Sequence, residues 1–135
     1  MNCIFCQIIK KEIPARIVYE DAKFLAFLDI EPNTHGHTLV IPKNHADNFT
    51  SMSSVAAAEL IQVVHKIAPQ LVEVLDADGY NLAINNGRAA GQLVDHAHWH
   101  IIPRWTDDNL IHWPHSQIAK EKLEETFAKL QDKIK

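Results

Sequence analysis

No stretch of this 135-residue chain approaches the roughly 20 consecutive apolar residues that a membrane-spanning helix needs. The first eleven residues hold only short apolar pieces broken by Cys6 and Gln7, so the apolar segment of a secretory leader is missing too. A cytoplasmic protein is the expectation. Excess positive charge is also missing: 13 Lys and Arg against 17 Asp and Glu leave a net charge of −4. That excludes a protein that coats nucleic acid or an anionic membrane by bulk attraction, so a polyanionic substrate must be held by specific groups. With Cys3 and Cys6 the only cysteines, no disulfide framework can staple the fold. Their Cys-x-x-Cys spacing in a reducing compartment points to a metal clip or a redox pair. Four Gly, six Pro and no repeat or low-complexity tract leave nothing that reads as a linker, so residues 1–135 are expected to form one domain.

What is present reads as strands followed by helices. Arg16 to Tyr19 and Phe24 to Leu28 are short β-branched, aromatic or aliphatic runs, separated by Glu20, Asp21 and Lys23 as in a hairpin. Thr38 to Ile41, closed by Pro42, gives a third strand after the turn-like Glu31-Pro32-Asn33. A long helix begins at Ser53, whose hydroxyl can cap it, and runs to Leu75, with Pro69 expected to kink or divide it. Tyr80 to Ile84 is a fourth strand and His96 to Ile102 a fifth, joined by a Gly-containing loop. Behind Ser116, Leu123, Phe127, Leu130 and Ile134 recur at helical spacing, predicting an amphipathic C-terminal helix over about 116–134. The pattern favours an α+β domain around a five-stranded antiparallel sheet.

The chemistry concentrates in Asn85-Asn-Gly-Arg-Ala-Ala-Gly-Gln-Leu-Val-Asp-His-Ala-His-Trp-His-Ile-Ile-Pro-Arg104. On a strand, His96, His98 and His100 would point to one face and Asp95, Ala97 and Trp99 to the other. A rise of ~3.3 Å per residue puts the outer two Cα atoms about 13 Å apart, too far for all three to share one zinc ion unless the chain bends. Separate roles follow more easily, since neutral imidazole is a competent nucleophile and proton shuttle. The preceding loop suits phosphate: Gly91 permits close backbone approach, and Asn85 and Gln92 offer neutral amide donors.

The spaced residues Asn85, Gly87, Ala90-Gly91-Gln92, His-x-His-x-His and Ile101-Ile102-Pro103-Arg104 resemble the histidine-triad (HIT) family of nucleotide hydrolases. The likeness extends upstream through Phe5, Ala26-Phe27, Asp29-Ile30 and the run from His37 to His45, covering roughly residues 3–104. The resemblance implies that His98 attacks the α-phosphorus of a nucleotidyl substrate, such as a dinucleoside polyphosphate or related ester. A covalent nucleotidyl-histidine would form, and water would release the nucleoside monophosphate. His100 is implied to contact and protonate the departing oxygen, and His37 to support the imidazole network. Transferase relatives carry Gln at the third position, so His100 favours hydrolysis. Phe5, Ile8 and Phe27 are implied as a purine pocket, with Asp29 accepting from the ribose; the residues alone equally suit core and a turn.

Cys3 and Cys6 need two more ligands for a tetrahedral site, and the resemblance supplies His45 and His96. The implied zinc is structural, and the alternative is a metal-free thiol pair with His96 only orienting His98. A homodimer is also implied. Two positions depart from the family pattern: Leu93 stands where the phosphoramidase branch has a hydroxyl residue, and Asp95 is unusual before the triad. His65 reads as ordinary surface or core, and His112 and His115, flanking Trp113-Pro114, have no assigned role. The rival readings are a nucleotide-binding regulatory protein with negligible turnover and a zinc hydrolase.

Overall fold

The computed structural model describes residues 2–135. Their strands are β1 (Ile17–Glu20), β2 (Phe24–Leu28), β3 (Thr38–Pro42), β4 (Gly79–Ile84) and β5 (Trp99–Arg104). They form one sheet in the order β1-β2-β3-β5-β4 with every neighbouring pair antiparallel. Helices α1 (Ile4–Ile9) and α2 (Ser54–Leu75) cover its two faces, and α3 (Gln117–Glu121) and α4 (Leu123–Leu130) follow. The α+β architecture is as expected.

Apolar residues on both faces of β2 and β3 explain why the sheet is covered twice. Phe24, Ala26, Val40 and Ile101 pack against Leu60, Val63, Val64, Ile67 and Ala68, the i, i+3, i+4, i+7, i+8 stripe of α2. The alternate residues Leu25, Phe27, Leu39 and Ile41 pack against Phe5 and Ile8 of α1. Leu60 has no exposed surface, so its truncation to Ala would cost about 2–5 kcal/mol. The Ser53 hydroxyl caps α2 by accepting from the Ala56 amide at 3.1 Å, as its position suggests. Pro69 does not divide the helix. The carbonyl it leaves without a partner belongs to His65 on the exposed side, where water can replace the lost bond.

Three expectations change. The fifth strand begins at Trp99, not His96. Residues 4–9 form a helix that the sequence did not signal, its first turn capped by the Cys3 sulfur, which accepts from the Cys6 amide. The C-terminal helix is split at Lys122, and every residue from 109 to 135 is exposed. An amphipathic segment with nothing to pack against loses the tertiary support on which short helices depend. Among the described residues, no helix is long and apolar enough to cross a membrane.

Candidate active site

His100 lies on β5 opposite Leu39 of β3 and Ala83 of β4, so it shares the sheet face that α1 covers. His98 and His96 precede the strand. The Ala97 amide donates to the Ala46 carbonyl at 2.8 Å and the His96 ring bonds the Pro42 carbonyl, which draws this stretch out of the ladder. The rings nevertheless stay adjacent: His98 and His100 have centroids 5.0 Å apart, His100 and His37 5.1 Å. The row expected of a strand therefore exists, but with a bend that turns His96 away.

Hydrogen-bond partners fix where the protons sit. The Asn33 amide donates to His37 Nδ1 at 3.0 Å, so in neutral His37 the proton is on Nε2. That Nε2 lies 2.9 Å from His100 Nδ1, which must accept, leaving the proton of neutral His100 on Nε2. His100 Nε2 is buried and has no hydrogen-bond partner among the described residues. His98 Nδ1 lies 2.7 Å from the His96 carbonyl, which can only accept, so His98 carries its proton on Nδ1 and a lone pair on Nε2. Burial keeps all three rings neutral: it lowers His37 and His98 and pushes His100 down to about 4, with neighbouring imidazoles adding to the effect at His100. Asp29 lies 3.7 Å from His37 Nε2, but burial outweighs its charge, so the contact is a carboxylate beside a neutral ring rather than an ion pair. Asp29, His37 and His100 are close enough to hold a cation. His37 is unsuited to it, because one nitrogen already accepts an amide and the other keeps its proton.

His96 belongs to a second cluster. Its Nδ1 lies 3.4 Å from Cys3 Sγ, 3.7 Å from Cys6 Sγ and 3.1 Å from His45 Nδ1, and Cys6 Sγ is 3.3 Å from His45 Nδ1. Each ring donates elsewhere through Nε2, His96 to the Pro42 carbonyl at 2.8 Å and His45 to Asp47 Oδ1 at 2.7 Å. Two lone pairs and two thiols therefore converge. Tetrahedral zinc, with sulfur at about 2.3 Å and nitrogen at about 2.1 Å, gives sulfur–nitrogen edges of roughly 3.6 Å and a nitrogen–nitrogen edge of roughly 3.4 Å. The cluster has these dimensions to within a few tenths of an ångström. The carbonyl and carboxylate behind the rings are the outer partners that metal-binding histidines require. Burial pushes the Cys6 thiol up and lowers His96 to about 4.

Residues 10–107 match the model of the HIT domain. The chain belongs to the HIT family. An uncharacterized HIT-like protein of Methanocaldococcus jannaschii is 52% identical over 106 residues, covering 78% of this chain and 81% of that one. An adenosine 5′-monophosphoramidase of Schizosaccharomyces pombe is 39% identical over 137 residues, covering 100% of both chains. Among solved structures, a zinc-bound histidine triad family protein from Mycobacterium smegmatis superposes with a TM-score of 0.79 at 41% identity, covering 98% of each chain.

The loop before the triad of this HIT protein is braced from within. Gln92 Nε2 donates to the Asp47 carbonyl at 2.6 Å and the Val94 carbonyl at 3.0 Å, and its Oε1 accepts from the Gly87 amide at 2.8 Å. Its amide is thus occupied, which corrects the expectation that it is a free phosphate donor. Asn85 Nδ2 reaches only the Gly91 carbonyl, at 3.5 Å, and remains available. Gly91 has φ +92°, a conformation that favours glycine, and a Cβ there would approach Asn85 Nδ2 to 3.3 Å and press on that side chain. Asp95 is exposed and pairs with Arg88 at 3.2 Å, away from the histidines.

Phe5, Ile8 and Phe27 are only 7%, 7% and 3% exposed, members of the core under the triad rather than an open slot. Phe5 meets His98 edge-on at 5.3 Å. A cleft of 720 Å³ between Leu28, Asp29, Pro32, His35 and Trp105 reaches the row at Asp29 and His37, not at His98. His65, His112 and His115 are exposed and stand outside both clusters. Asn33, Pro42 and Asp47 were missed by sequence reasoning. Two of them act through backbone atoms that leave no trace in residue identity, and only Asp47, two positions after His45, carried a signal.

Proposed function

We propose that this HIT protein is a nucleotidyl hydrolase in which His98 Nε2 attacks the α-phosphorus of a nucleoside 5′-phosphoryl substrate. The observation that carries this reading is the tautomer of His98: its proton is held by the His96 carbonyl at 2.7 Å, and its free lone pair is on the other nitrogen. The N–P bond forms as the bond to the leaving atom breaks. An anionic phosphate beside the His100–His37 pair raises its affinity for a proton, so the pair takes one up from solvent when substrate binds. His100 then passes its Nε2 proton to the departing atom and the pair returns to its neutral state. Water then attacks phosphorus and gives its proton back to the pair, releasing the nucleoside monophosphate and restoring His98. Asn85 and the loop amides hold the phosphoryl oxygens, Asp29 takes the ribose hydroxyls, and a purine lies along the wall that Phe5, Ile8 and Phe27 support.

Cys3, Cys6, His45 and His96 hold a structural zinc ion. When bound, it cross-links the N-terminal segment to the catalytic segment and takes no part in bond cleavage. A thiolate–zinc cluster fits a reducing cytoplasm. The exposed apolar residues Ile61, Tyr80 and Leu82 on α2 and the edge strand β4 suit a homodimer interface.

Two full-length relatives are named adenosine 5′-monophosphoramidases. Adenosine 5′-phosphoramidate is therefore the first probe and diadenosine tetraphosphate the second. Leu93, 80% exposed, offers no hydroxyl near a leaving nitrogen, so the P–N substrate is expected to react without that assistance. Rapid mixing followed by an alkaline denaturing quench and peptide mass mapping should find the nucleotidyl group on His98. Turnover with no adduct, and equal slow rates for wild type and His98→Ala, would favour the regulatory binder.

A further inference from the structure

We propose that Cys3 and Cys6 are a reversible redox modification site: peroxide closes them into a disulfide, zinc leaves, and hydrolysis slows because the nucleophile loses its supports. The inference rests on the zinc reading given above. What carries it is that the four ligands of the cluster lead to three different walls of the active site. Cys3 and Cys6 bracket Phe5, whose ring meets His98 at 5.3 Å and His96 at 5.8 Å. The backbone of His96 supplies the carbonyl that fixes the His98 tautomer. His45 bonds Asp47 at 2.7 Å, and the Asp47 carbonyl holds Gln92 at 2.6 Å, which in turn braces Gly87 at 2.8 Å. Opening the cluster therefore releases the base wall, the nucleophile and the phosphate loop together.

The two sulfurs are half-buried, within reach of a small oxidant, and lie within 4.8 Å of each other. A disulfide needs about 2.05 Å, so both sulfurs must leave the ligand positions to form it. The chemistry balances with peroxide as the two-electron oxidant. One thiolate attacks a peroxide oxygen, breaking the O–O bond and giving a sulfenic acid. The second thiolate attacks that sulfur and expels its oxygen. Two protons are taken up, two water molecules form, and the zinc ion departs as a free cation. His45 and His96 are then left with facing lone pairs 3.1 Å apart, so one ring must take a proton or swing away.

The test oxidises the 135-residue, zinc-loaded chain with stoichiometric hydrogen peroxide. It follows zinc with a chromogenic chelator, the Cys3–Cys6 peptide by mass, the His98 ring by ¹⁵N NMR, and adenosine 5′-phosphoramidate hydrolysis. One zinc ion should be released per disulfide formed, the His98 tautomer should become mixed, and kcat should fall 10- to 100-fold, the usual effect of losing outer support. A dithiol plus zinc should restore all four. Cys6→His, which keeps four donors but cannot form the bond, should retain its metal under the same dose. Disulfide formation and zinc release without change at His98 or in rate would overturn the proposal. So would a loss of rate while the cysteine peptide stays reduced. Metal analysis before oxidation separates the two levels: a chain that takes up no zinc refutes the clip itself, whereas a loaded chain that peroxide leaves intact refutes only the switch.

Discussion

The two histidine clusters of this protein contain similar groups at similar spacings, each with its donor atoms within 4.8 Å of one another, yet their protons are arranged oppositely. In the cluster of Cys3, Cys6, His45 and His96, both rings send their N–H bonds outward, to the Pro42 carbonyl and to Asp47. The lone pairs face each other, an arrangement that calls for a cation. In the cluster of Asp29, His37 and His100, a proton already lies between the rings, and a second, on buried His100 Nε2, has no hydrogen-bond partner among the described residues. Such a row passes hydrogen bonds rather than holding metal. The difference comes from backbone groups: a carbonyl behind His96 leaves its Nδ1 lone pair turned toward the cysteines, and an amide behind His37 leaves its Nε2 proton turned toward His100. His98 sits between the two and draws on the first for its tautomer.

The strongest way to break this division is at its junction. His98→Ala should reduce kcat roughly 10⁴- to 10⁶-fold, as loss of a nucleophile does, while leaving zinc content and mononucleotide affinity nearly unchanged. Next, the two clusters should fail separately. Chelation, or Cys3→Ser with Cys6→Ser, should lower Tm by on the order of 10 °C, since a ligand at a thousand times its Kd contributes about 4 kcal/mol to a folded chain. His37→Gln should leave zinc and Tm in place but cut kcat about 100-fold through loss of the proton relay.

Much of this division was legible beforehand, and some could not be. β2, the body of β3 and the Ser53 cap follow from local patterning, which the two-sided core only reinforces. The His-x-His-x-His alternation suggested a strand from His96, but alternation records which residues share a face, not where the ladder ends. Here the Ala97–Ala46 and His96–Pro42 bonds end it. A six-residue α1 is too short to show a helical period. The occupied amide of Gln92 was invisible because its partners are backbone groups, the Asp47 carbonyl of a distant loop and the nearby Val94 carbonyl and Gly87 amide.

Smaller effects sharpen the account. The acid limb of kcat/KM should lie below the ordinary imidazole value of about 6.5, because burial lowers His98 and it stays an unprotonated nucleophile into mild acid. Folding stability should fall as pH drops below about 6.5, where the unfolded chain binds protons that the buried histidines refuse; His100, pushed down to about 4, accounts for roughly 3 kcal/mol of the loss in urea titrations, and His37 and His98, lowered in the same direction, add to it. Asp95→Asn removes only an exposed pair with Arg88 and should leave rate, zinc and Tm unchanged.

The most direct test is long-range ¹H–¹⁵N correlation of the imidazoles in zinc-loaded protein at neutral pH. The account predicts His98 neutral with its proton on Nδ1, His37 and His100 protonated on Nε2, and His45 and His96 protonated on Nε2 with Nδ1 bound to metal. A His98 ring that is cationic, or that carries its proton on Nε2, would have no lone pair to offer phosphorus and would contradict it.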